Sequence, residues 1–311
     1  MEIKIYTEEN KLEWDNFVRD SKNGTFLICR DFMEYHSNRF QDHSLLFYNN
    51  NKLLAVMPGH ISDKDFCTHL GLTYGGLIMS TEISMLSVLN IFEHLIVTLR
   101  NQGIKKILYK SIPHIYHKLP AEEDLYALFR YKAKLSERNI SSTILLSEHI
   151  AYSRSRKNGL KKAEKELLYI KESNDLETFW NILNNNLLAK YNKQAVHSLS
   201  EISYLKDKFP EEIRLYAAFD SEDKMLGGCL TFEMRQIVHA QYTAATAEGK
   251  QKGAIDLIIN HIVNSSRANK TYFDYGTSTE SNGFLLNENL IYQKEGFGAR
   301  GIVYDTYVID L

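Results

Sequence analysis

Lys294 stands just ahead of Gly296, Phe297 and Gly298 in the segment "NGFLLNENLIYQKEGFGARGIVYDTYVIDL". A turn of that composition is expected to present the ammonium at the mouth of the last strands, where it would stabilise the oxyanion of a tetrahedral intermediate. The segment "AEGKQKGA", read as a turn before a helix, offers a second piece of chemistry. Gly249 and Gly253 let backbone amides approach a phosphate there, and Lys250 and Lys252 add charge. His239, leading into that turn, is a candidate general base on an attacking amine. Tyr242 and Tyr275 are candidates to protonate a leaving group or to line an acyl pocket. Glu280 and Asn287, upstream of Lys294, offer polar atoms to an amine or polar head group. Each has a plainer use as well: a lysine at a helix end, an ordinary surface turn, a structural strand histidine, core tyrosines.

The most basic stretch is "AYSRSRKNGLKKAEKELLYIKES", where Arg154, Arg156, Lys157, Lys161, Lys162, Lys165 and Lys171 face only Glu164, Glu166 and Glu172. It reads either as a solvated connecting helix or as a grip on the phosphates of a nucleotide or tRNA, with Arg154 and Arg156 giving bidentate contacts. The formal charge of −2 means that a polyanion site has to be local. A Gly-rich dinucleotide fingerprint, a Walker loop and a nucleophile elbow are all missing from the sequence. His114 and His117 lack a third ligand nearby, so no metal is expected. Cys29, Cys67 and Cys229 are odd in number and far apart, which suits buried free thiols.

These groups have to be positioned by a larger frame. A chain of 311 residues suits two domains, and 44% apolar with 24% charged residues is the balance of a globular protein with a sizeable core. Hydrophobic spacing predicts helices over 12–21, 30–39, 83–102 and 121–132. Strands are expected over 2–6, over 44–63 as a hairpin, in "THLGLTYGGLIMS", over 106–111 and over 142–146. The order returns after Ser173, with helices over 176–191, 200–209 and 254–268 and a hairpin over 214–234. "IVHAQYTAAT" stands where "CTHLGLTYGG" stood, with His239 170 residues after His69, and "TYFDYG" repeats "KILYKS" at an offset of 165. One α/β module repeated in tandem explains this register. The first copy's "GGLIMSTEIS" carries no basic residue, so a phosphorylated donor is expected on the second copy.

The tandem layout, the basic "RSRKNGLKKAEKE" joint and the closing "QKEGFGAR…VYDTY" resemble the FemABX-like branch of the GNAT acyltransferase superfamily over essentially the whole chain. The resemblance implies two GNAT-like domains, each a mixed, mostly antiparallel sheet flanked by helices, facing a shared cleft. They divide as 1–150 on the acceptor side and 151–311 on the donor side, with the last strand packing near the first domain. It implies N-acyl transfer from acyl-CoA or aminoacyl-tRNA as co-substrate, with no permanently bound cofactor, to a small-molecule or peptide amine such as a cell-wall precursor. It also implies that Lys294 stabilises the transition state and that Arg154 and Arg156 meet a nucleotide-linked acceptor. The coiled-coil arm of larger Fem proteins has no counterpart, and the coenzyme A motif is matched only by Lys250 and Gly253, with Ile255 breaking it. The rival readings are a non-catalytic module binding a nucleotide sugar or peptide, and an RNA-binding protein using the basic joint. Met1 to Asn10 lacks the order of a signal peptide and no long apolar run follows, so a cytoplasmic location without a membrane span is expected.

Overall fold

The computed structural model describes residues 1–148 and 150–311. Its first unit takes in Met1–Ile140, Thr279–Leu285 and Val303–Leu311, and its second Ser141–Ser278 and Leu286–Ile302. The cut therefore falls ten residues earlier than 150/151, and two later segments belong to the first unit.

In chain order, the first 145 residues hold strands β1 (Glu2–Ile5), β2 (Leu45–Asn49), β3 (Lys52–Met57), β4 (His60–Ser62), β5 (Asp65–Cys67), β6 (Ile78–Met79), β7 (Lys106–Lys110) and β8 (Lys134–Leu145). Helices α1 (Lys11–Asp20), α2 (Arg30–Met33), α3 (Met85–Asn101) and α4 (Glu123–Arg130) lie among them. Then come α5 (Arg154–Lys165), β9 (Tyr169–Glu172), α6 (Leu176–Tyr191), α7 (Leu199–Lys208), β10 (Ile213–Phe219), β11 (Met225–Glu233) and β12 (Ile237–Ala245). The chain closes with α8 (Ala247–Lys252), α9 (Ala254–Ser266), β13 (Tyr272–Thr277), β14 (Thr279–Glu280), β15 (Leu285–Leu286), α10 (Glu288–Glu295) and β16 (Arg300–Asp310).

In the first unit α3 buries Val88, Ile91, Phe92, Leu95 and Leu99 at helical spacing. Ser84 caps its start, and Gly103, at φ +80°, ends it in the conformation a glycine adopts without steric penalty. That face packs with Phe47, Leu77 and Tyr109 into one core. One sheet runs β1-β2-β3-β6, and a second set of strands runs β4-β5-β7-β16. The expected strand in "THLGLTYGGLIMS" is not formed: only the pair Ile78–Met79 is extended there, and His69 sits at φ +62°. A Cβ on Gly75 would lie 2.0 Å from the Thr68 carbonyl, so the loop folds back on itself where a strand would run straight. The helix expected over 30–39 is α-helical only to Met33 and tightens to 3₁₀ beyond.

In the second unit the strand order is β13-β12-β11-β10-β9, with Ser141–Leu145 of β8 pairing against β13. Helix α9 buries Ile258, Ile259, Ile262 and Val263 against Leu226, Val238 and Phe273. The segment "AEGKQKGA" is not a turn but the short helix α8, capped by Thr246 and separated from α9 by Gly253 at φ +81°. All three cysteines are buried and unbridged. No helix among the described residues is long and apolar enough to cross a membrane.

Candidate active site

Two neighbouring strands of the second unit part company at its centre. β12 and β13 run parallel and pair only through Ile237–Tyr272, Val238–Phe273 and His239–Asp274. Beyond that point β12 carries a bulge: Leu230 of β11 faces Tyr242 and Thr231 faces Ala240, leaving Gln241 as the extra residue. β13 is disturbed too, since its register against β8 shifts between Asp274 and Thr277 and Gly276 takes φ +74°. The parted edges leave a cavity of about 580 Å³, lined by Ala240, Gln241, Thr243 and Ala244 on one side and Tyr275 and Thr277 on the other. Leu183, Asn186, Leu187 and Lys190 of α6, Ile255 and Ile259 of α9, and Gln293 and Lys294 of α10 complete its walls, with Lys250 and Phe297. A strand edge without a partner strand presents backbone donors, the kind of group that stabilises a developing oxyanion.

The place where the strands part is fixed by a buried ionic cluster. Asp274 is fully buried and accepts from His239 Nδ1 at 2.8 Å, Ser141 Oγ at 2.5 Å, Thr143 Oγ1 at 2.7 Å and the Gly276 amide at 3.2 Å. Burial alone would push this carboxyl up, but the His239 and hydroxyl contacts outweigh it and hold it at about 2. Gly276 lies over the histidine, where a Cβ would stand 3.2 Å from His239 Cε1. His239, expected from the sequence as a general base, is not among the residues lining the cavity, and its Nδ1 is held by Asp274.

Lys294 does reach the cavity, but not as a free ammonium at a turn. It lies in the last turn of α10, 6% exposed, and donates to the carbonyls of Gly276 at 2.7 Å and Thr277 at 3.0 Å and to Ser278 Oγ at 2.8 Å. Those three bonds take up its three donors. Burial pulls its pKa down to about 8, with Asp274 opposing the shift. Lys294 thus clamps the irregular end of β13, and it meets a substrate oxyanion only by exchanging one of these bonds.

The phosphate candidates divide. A groove beside the cavity is lined by Arg156, Lys161, Lys162 and Lys165 of α5, by Lys250 and Gln251 of α8, and by Gly253 between α8 and α9. Lys250 lines both groove and cavity and bonds the Asn186 side chain. Gly249 offers no amide, because its N–H already donates to Thr246 Oγ1 at 2.9 Å, and its missing Cβ lets α8 sit against the Leu226 carbonyl. Lys252 is held by Glu248 at 2.8 Å, which raises its pKa. Arg156 pairs with Asp256 at 3.0 Å and stacks on Phe297, which ties α5 to α9. Arg154 is exposed on the first turn of α5, outside the groove's lining.

The remaining candidates are placed elsewhere. Tyr242 is bonded to His197 Nδ1 at 2.6 Å and packed on Trp180, outside the cavity lining. Tyr275 lines the cavity with its ring, but its hydroxyl is buried without a hydrogen-bond partner and burial raises its pKa far above 10. Neither tyrosine is presented as an acid. Asn287 caps α10, accepting from the Leu290 amide at 3.1 Å, and Glu280 is exposed in the first unit. Sequence reasoning missed Asp274 and Asn186. A lone aspartate inside the apolar "TYFDYG" strand was the available signal, since a carboxylate there must be paired.

No family model matches the chain, and no curated protein does. Solved structures do. FemX superimposes with a TM-score of 0.70 at 11% identity, covering 100% of this chain and 98% of that one. The fold is that of FemX and the tandem GNAT proteins. L-PGS from Bacillus licheniformis matches with a TM-score of 0.62 at 10% identity, over 99% of this chain and 93% of its own. A tandem GNAT protein from the clavulanic acid biosynthesis pathway matches with a TM-score of 0.52 at 9% identity, over 99% and 98%. The fold is thus α/β with two tandem GNAT-like domains, as the repeat and closing motifs implied.

Proposed function

We propose that the second unit is the transfer site of an N-acyltransferase, which passes an acyl or aminoacyl group from an activated donor, acyl-CoA or aminoacyl-tRNA, to an amine. The observation that carries this reading is the parting of β12 and β13 after His239 and Asp274, over a cavity that shares Lys250 with a basic groove. The apolar part of the wall, with Leu183, Leu187, Ile255, Ile259 and Phe297, suits the acyl arm, and the lysines of α5 suit the donor's phosphates. The fold shared with a tandem GNAT protein described as "without AcCoA" supports a coenzyme A thioester as one donor.

In the transfer, the unprotonated amine attacks the carbonyl carbon. A C–N bond forms and the carbonyl's bond to sulfur or ester oxygen breaks. The proton lost by the amine nitrogen leaves with the thiol or hydroxyl. The strand edge beyond His239 supplies donors to the carbonyl oxygen, and no covalent enzyme intermediate is needed. Lys294, His239 and Asp274 act by holding β13 in the shape that keeps the edges apart.

A panel of coenzyme A, acyl-CoAs, nucleotide-linked muropeptides and aminoacyl-tRNA, followed by thermal unfolding, tests the reading. A true donor at about 100 times its Kd stabilises the fold by about 2.7 kcal/mol. The charge reversals Lys161→Glu with Lys165→Glu abolish that shift. Absence of a shift and of amine acylation with every donor overturns the reading.

A further inference from the structure

One side chain belongs to both the cavity and the basic groove of the second unit. Among the described residues, Lys250 alone lines the two. It extends exposed from α8, and its ammonium makes one side-chain bond among those residues, to Asn186 Oδ1. The neighbouring cations are engaged by acids. Glu248 accepts from Lys224 and Lys252, each at 2.8 Å, and Asp256 in the groove pairs with Arg156 at 3.0 Å. Lys250 is held by a neutral amide instead, a bond that leaves its charge in place and takes only one of its three donors.

The amide is fixed in the orientation this needs. Asn186 stands on α6, half-buried in the cavity wall. Its Nδ2 donates to the Ile182 carbonyl at 2.8 Å and to the Ala245 carbonyl, at the end of β12, at 2.9 Å. With both amide hydrogens on carbonyls, Oδ1 must face the ammonium. Turning the amide over would set an oxygen against two carbonyls and an N–H against a cation. A free lysine side chain samples many rotamers, and ordering it beforehand removes that cost from binding. We propose that Asn186 is a positioning residue for the donor: it aims Lys250 at a phosphate of the donor where cavity and groove share this lysine, without touching that phosphate itself. The inference rests on the reading of the second unit as an acyl-transfer site and adds the residue that sets how tightly the donor's phosphate is held.

A double-mutant cycle tests it, with coenzyme A and unacylated tRNA as separate phosphate-bearing probes titrated calorimetrically into the full chain. Which of the two binds distinguishes a thioester donor from an aminoacyl ester. Lys250→Met, at an exposed position, is expected to weaken the bound probe about tenfold, the loss of a hydrogen bond from a charged group. Asn186→Ala is expected to weaken it about threefold in the wild-type background and not at all beside Lys250→Met, because it acts only through that lysine. Asn186→Ser repeats the cycle with α6 protected, since a serine hydroxyl bonds the carbonyl four residues back, that of Ile182, but is too short to reach Lys250. Equal weakening in both backgrounds overturns the proposal, since Asn186 then only ties α6 to β12 or touches the donor directly. No weakening by either Asn186 variant overturns it as well and leaves the transfer-site reading standing. Failure of both probes to bind the wild-type chain removes the reading of the site and the proposal with it.

Discussion

Lys294 holds the irregular end of β13 against α10, and its burial makes it a pH reporter. The unfolded lysine keeps its proton to 10.5, while the folded one releases it near 8. Between those values the unfolded state binds more protons, so folding stability rises with pH through that window. The rise amounts to about 3 kcal/mol at most for a shift of this size. Lys110 in the first unit is likewise lowered to about 8 by burial, so wild-type stability alone would mix the two. The difference between wild type and Lys294→Met isolates one of them. Denaturant unfolding at pH 7 and at pH 10.5 should show wild type gaining on the variant, and a constant difference would mean that the folded lysine keeps an ordinary pKa.

At the scale of elements, one glycine joins the groove to the core. Gly253 at φ +81° separates α8 from α9, and a Cβ there would lie 2.2 Å from the Gly159 carbonyl of α5. Gly103 shares the left-handed backbone, at φ +80°, but its Cβ would meet nothing within 4 Å. Gly103→Ala should therefore cost only the backbone strain, about 1 kcal/mol. Gly253→Ala must also push α5 off α9, and should cost about 2–4 kcal/mol together with the donor-binding groove. Equal losses in the two variants, read from their unfolding midpoints, would show that α5 and α9 are not closely docked. The same elements show what a sequence carries. Helices α3, α6 and α9 and the β10–β11 hairpin were legible because each is written in a local period or turn. The parting of β12 from β13 was not, since it depends on pairing between residues 35 apart, a bulge at Gln241 and a left-handed Gly276. His239 was noticed for its type, but its role is decided by Asp274, which pairs with it only in the folded sheet.

At the scale of the whole molecule, the repeat seen in the sequence is not two independent halves, because the end of the chain belongs to the first unit. Thr306–Asp310 of β16 pair with Lys106–Lys110 of β7. Tyr304 bonds Tyr116 at 2.7 Å, and Asp305 takes both arms of Arg138 at 2.8 and 2.7 Å. Ile309 enters the first unit's core at 4% exposure, and truncating a buried isoleucine commonly costs about 2–5 kcal/mol. Ending the chain after Ile302 removes all of this at once and leaves β7 as an open edge. Hydrogen exchange on such a truncated chain should find the β7 amides that face β16, those of Ile107 and Tyr109, unprotected, while the Lys110 amide, which donates to Thr68 Oγ1 on the β5 side, keeps its bond. The β11 and β12 amides, which pair with each other inside the second unit, should keep their protection. Loss of protection in both units together would mean that the second unit, and the cavity within it, cannot fold without an intact first unit.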